Sequence, residues 1–105
     1  MPIDPLPRAH HAAALGRRLR ELRVDLDLSQ EEVAHRAGIS RNQYQLIERG
    51  LSNRESATPA NPRLSTLVAL CDALDTSVTD LVVDVFGPPR GLRVEVSATL
   101  HGTTP

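Results

Sequence analysis

Residues 28–50, LSQEEVAHRAGISRNQYQLIERG, contain two helix-start signals separated by a glycine. Ser29 with Glu32 has the spacing of a capping box, and Leu28 is placed to pack on Val33 as a hydrophobic staple. Ser40 with Gln43 repeats the box, and Ile39 with Tyr44 repeats the staple. Gly38 stands where the earlier helix must end, because glycine takes the left-handed conformation at little steric cost. The pattern predicts a helix over 30–37, a tight turn, and a helix over 41–49 stopped by Gly50. Two short helices joined in this way form a helix-turn-helix, whose second helix can enter the DNA major groove.

Working outward, residues 1–7 hold three prolines and read as a flexible arm. A first helix is predicted from about Arg8 to Leu26, with Leu15, Leu19, Leu22 and Leu26 on one stripe and Asp27 ending it. After a polar loop over 51–60, Asn61 and Pro62 suit the cap and first position of a fourth helix. Leu64, Leu67, Val68, Cys71 and Leu74 would line its buried face. Ser77 with Asp80 starts a fifth helix, closed by Gly87-Pro88-Pro89. The expected organisation is an arm over 1–7, a helix-turn-helix domain over 8–86 and a tail over 87–105. In the tail the period changes. Leu92, Val94, Val96, Ala98 and Leu100 alternate with polar residues, as in a strand. A lone strand needs a partner edge, so this segment either pairs with a second copy across a two-fold axis or is a disordered tail with chance alternation.

The chemistry of the third helix points to nucleic acid. At about 100° per residue, Tyr44 and Ile47 face the core side marked by Ile39. Asn42, Gln45, Leu46 and Arg49 point the other way, with Arg41 and Gln43 on the flanks. A merely solvated face would carry Glu and Lys. This one offers Arg, Asn and Gln, whose donors and acceptors match guanine and adenine edges, and Leu46, suited to a thymine methyl. Gln30 opens its helix, where free amides and the helix dipole favour an anion. Gln43, Asn61 and Arg63 are placed to flank the groove at phosphates. Arg49 either reaches phosphate or complements the negative end of its own helix.

Composition narrows the field. A chain of 105 residues has room for one small domain and tails. With Tyr44 and Phe86 its only aromatics, its core must be aliphatic. A lone cysteine excludes an internal disulfide, and Cys71 reads as a small buried hydrophobe, not a nucleophile. His10 and His11, being adjacent, should point apart, and His35 and His101 have no ligand-spaced partner, so neither metal nor cofactor is expected. There is no glycine-rich phosphate loop and no nucleophile elbow, hence no enzyme. No apolar run approaches the roughly 20 residues a membrane span needs, and the N-terminus lacks a secretory layout, so a cytoplasmic protein is expected. The net charge of −1 is not that of a nonspecific nucleic-acid binder. Its distribution is uneven, since residues 1–63 hold ten arginines against eight acids and the remainder two against five. Every basic residue is arginine, which suits bidentate contacts and is equally what a GC-rich genome yields.

These residues carry a family resemblance. LRELR at 19–23, LSQEEVAHRAGIS at 28–40, LIERG at 46–50 and NPRLSTLVALCDALDTSVTDL at 61–81 resemble the xenobiotic-response-element helix-turn-helix proteins, the group of the lambda-type repressors and Cro. The resemblance covers residues 12–84 and implies an all-α, five-helix lambda-repressor-like bundle, usually dimeric on a palindromic operator. It implies that Gln30 contacts phosphate, that Arg41, Asn42 and Gln45 read bases, and that Arg23 pairs with Glu48 to tie the first helix to the third. Asp27 and Asp75 replace glycines common in that family, and the stretch from Gly50 to Asn61 is longer than usual. Leu46 occupies a position where a polar base-reading side chain is common.

The expected function is that of a transcriptional regulator, a repressor, binding double-stranded DNA as a homodimer through the helix at 41–49. The alternative is an antitoxin whose tail binds a protein partner while the bundle regulates its own operon. A third reading is an interaction adaptor that has lost DNA binding.

Overall fold

The computed structural model describes residues 9–53, 55 and 58–87. Its five helices are α1 (Ala9–Asp25), α2 (Gln30–Ala37), α3 (Arg41–Glu48), α4 (Leu64–Ala73) and α5 (Val78–Phe86). Among the described residues there is no sheet, only an isolated antiparallel bridge between Leu51 and Pro59. The arm over 1–7 and the strand-like segment over 92–100 lie outside the described residues.

Local chemistry sets most of the boundaries. Ser29 Oγ accepts from the Glu32 amide at 3.0 Å and the Glu32 carboxylate accepts from the Ser29 amide at 3.2 Å, completing the box that starts α2. Gly38 ends α2 at φ 72°, with its amide turned back onto the last carbonyls of the helix. Ser40 and Ser77 cap α3 and α5 by accepting from the amides of Gln43 and Asp80, each at 3.0 Å. Each such cap is worth about 1 kcal/mol. Asp27 and Asp75 hold left-handed φ of 57° and 55° after α1 and α4. Aspartate tolerates this conformation better than most non-glycine residues.

The core is aliphatic around one tyrosine. Leu19, Val33, Tyr44, Leu70 and Leu74 are almost wholly buried, where helices α1, α2, α3 and α4 converge, and Leu81 and Val85 of α5 close one side. α4 starts later than its asparagine and proline predict. Its N-cap is Arg63, without a side-chain cap bond, because the Ala60 amide bonds to the Gly50 carbonyl at 2.9 Å and holds the preceding chain to the end of α3. The buried stripe of α4 is Leu67, Leu70, Cys71 and Leu74, at i, i+3, i+4 and i+7, which turns Leu64 and Val68 outward. Leu26 is also exposed, since α1 ends one residue before it.

Candidate nucleic-acid interface

The turn at Gly38 sets α3 against α2, and α3 packs its inner face on α1. One position makes the second contact possible. A Cβ on Gly16 would lie 2.2 Å from the Glu48 carbonyl oxygen and 2.9 Å from that of Ile47, so only glycine lets α1 approach the end of α3 this closely. A glycine inside a strong helical pattern is the one sequence signal for such a contact.

From this seat α3 presents Arg41, Asn42 and Gln43 as consecutive exposed residues on its first turn. Gln45 is half-buried. Leu46 differs from its predicted outward position, being only 9 % exposed. The loop after α3 folds back along the helix through the bridge between Leu51 and Pro59 and the bond from the Ser52 amide to the Thr58 carbonyl, 3.0 Å. Leu46 thus lies against Leu51, Ala60 and Pro62 around a small cavity, which Gln43 and Asn61 also line. A loop contact removed from solvent what the wheel alone left outside. Arg49 is the exposed C-cap of α3, and Arg63 is exposed at the start of α4.

A second open cleft brings Gln30 and Arg41 together, with Arg23, Ser29 and Glu31 as its other walls. Behind it lies an ionic network. Arg23 grips Glu48 with two nitrogens, Nε to Oε2 at 2.6 Å and Nη2 to Oε1 at 3.2 Å. Its remaining Nη1 donates to the Leu28 carbonyl at 3.0 Å, so one guanidinium joins α1, the turn before α2 and the end of α3. The Gln30 amide donates to Glu48 Oε1 at 3.1 Å, a bond no helix-wheel argument contains. Burial acts to raise the pKa of Glu48, but the Arg23 hydrogen bonds, the adjacent Tyr44 hydroxyl, the Gln30 bond and the Arg23 charge together outweigh it and hold the carboxyl below its usual range. The Glu48 bonds raise Arg23 correspondingly. Tyr44 is wholly buried beside this pair, and its hydroxyl feels both charges without a geometry good enough to bond to either. Burial first, and then Glu48, pushes its pKa far above the ordinary phenol range.

Elsewhere Arg18 of α1 pairs with Asp84 of α5 at 2.8 Å, so this arginine serves packing. The rings of His10 and His11 do not point apart; their centroids are 4.1 Å from each other, and His11 lies 4.7 Å from Phe86. Among the described residues no helix is long and apolar enough to cross a membrane, and no three metal-ligating side chains stand together.

Proteins similar to this chain are named as regulators. The chain is 34 % identical over 67 residues to the cryptic phage CTXphi transcriptional repressor RstR of Vibrio cholerae, a match spanning 64 % of this chain and 53 % of that protein. It therefore spans about half the length of that curated relative. The restriction-modification controller protein C.AhdI from Aeromonas hydrophila superposes with TM-score 0.57 at 34 % identity, over 67 % of this chain and 94 % of the other. The clp gene regulator ClgR from C. glutamicum superposes with TM-score 0.62 at 27 % identity, over 81 % of this chain and 96 % of the other. The profile of the helix-turn-helix domain matches residues 14–82. Capped helix pair, five-helix bundle and sequence profile agree: the chain belongs to the helix-turn-helix domain family.

Proposed function

We propose that this chain is a sequence-specific DNA-binding transcriptional repressor that seats α3 in the major groove and binds a pseudo-palindromic operator as a homodimer. The observation that carries the reading is the exposed run Arg41-Asn42-Gln43 on the first turn of the second helix of the capped pair. The N-terminal residues of such a helix are the ones that reach base edges. Arg41, Asn42 and Gln45 read bases, while Gln30, Gln43, Arg49, Asn61 and Arg63 contact phosphates. Leu46 is left to shape the surface from beneath, since little of it reaches solvent. The relatives named as repressor, controller and gene regulator support regulation over the antitoxin reading. Acting on DNA places the protein in the cytoplasm.

In vitro selection from random duplexes tests this directly, and an inverted repeat is the expected product. Arg41→Ala and Gln45→Ala should each weaken binding to the selected site by about 1–3 kcal/mol while leaving random DNA almost unaffected. Equal losses on both would mean that these residues do not read sequence, and recovery of a single unrepeated half-site would remove the dimer.

A further inference from the structure

The proposed function makes two demands on Gln30. In the free protein its amide is bonded to Glu48 Oε1 at 3.1 Å, turned back toward the end of α3. To contact phosphate it must turn outward into the cleft it shares with Arg41. Doing so strips a donor from a carboxylate whose side chain is only 5 % exposed. A buried charged acceptor that loses a partner to which water has little access is strongly disfavoured.

Tyr44 lies one helical turn before Glu48 on α3, wholly buried, and its hydroxyl has no hydrogen-bond partner. A phenylalanine would fill an aliphatic core without leaving a polar atom unpaired, so this hydroxyl is a standing cost in the free state. We propose that the Tyr44 hydroxyl is the reserve donor of the Glu48 carboxylate: when Gln30 turns to the DNA backbone, Tyr44 takes its place on Oε1, beside the Arg23 bond to that oxygen, and keeps Glu48 satisfied. Tyr44 touches no DNA in this scheme. It is a positioning residue that makes the Gln30 contact easier to form, and the inference rests on the reading of Gln30 as a phosphate contact. Arg23 stays on Glu48 throughout, through the shorter of its two bonds.

Tyr44→Phe provides the test, with folding followed by thermal melting and binding by titration against duplex DNA. The variant should melt at or above the wild-type temperature, because an unpaired hydroxyl has gone. It should bind duplex about tenfold more weakly, the scale of one hydrogen bond to a charged group, and the loss should be alike for selected and random sequences. In a Gln30→Ala background the same substitution should have no further effect on binding. Tyr44 is the only tyrosine of the chain, so carbon-13 labelling at tyrosine Cζ gives one resonance that reports this hydroxyl alone. DNA should shift that resonance, and Gln30→Ala should shift it the same way with no DNA present. Binding that depends on Gln30 but is indifferent to Tyr44→Phe overturns the inference and leaves the function standing. So does a resonance unmoved by Gln30→Ala. A wild-type chain that retains no duplex overturns both.

Discussion

Gly16 shows how one residue decides whether two helices meet. By helix propensity alone, alanine there would stabilise α1 by about 1 kcal/mol. The contact with the Glu48 carbonyl reverses the sign, because backbone cannot rotate out of the way as a side-chain tip can. Gly16→Ala should therefore lose about 3 kcal/mol in denaturant unfolding, the scale of overpacking a core, and a stability equal to wild type would mean that the two helices separate freely. Glu48 is a second case. Its neighbours were legible in part, since the family resemblance implied the pairing with Arg23. The Gln30 bond and the orphaned Tyr44 hydroxyl were not, because they depend on how α2 is set against α3.

At the scale of elements, the chain is most readable where the signal is local. The bounds of α2, its box from Ser29 and its stop at Gly38 all follow from residues within a few positions of each other. The start of α4 and the burial of Leu46 were missed for a common reason. Both are settled by the loop that bonds Ala60 to Gly50, a contact across ten positions that no propensity encodes. The local caps also have consequences for the interface. Ser40 supports the turn of α3 on which Arg41, Asn42 and Gln43 are displayed. Ser40→Ala should lose about 1 kcal/mol of stability, and amide exchange should accelerate at Gln43 while residues of α5 keep their protection. Uniform acceleration across all helices would show that the cap serves the whole bundle and not this turn.

Across the whole molecule, Glu48 makes stability depend on pH with a definite sign. Its carboxyl is held below its usual range in the folded state, so its contribution is fully present above the unfolded value of about 4.3 and is lost as pH falls through the lowered one. Glu32, held down by the backbone bond from Ser29, titrates in the same direction. Glu48→Gln leaves Arg23 without its counter-charge and should be less stable at neutral pH by about 3 kcal/mol. Melting curves of the two proteins should converge between about pH 5 and pH 3, and parallel curves would place the acid sensitivity elsewhere. The ends of the molecule are linked in another way. Ala60, Asn61 and Pro62 line the cavity under Leu46 on one side and, on the other, an apolar groove of about 110 Å³ between α1 and α5 that reaches Phe86. These three residues act as a shim beneath α3. On the proposed function, a change in the loop or at the far end of α5 alters the seating of Arg41 and Asn42 while both side chains stay the same, so operator preference would shift with no change in the residues proposed to contact DNA.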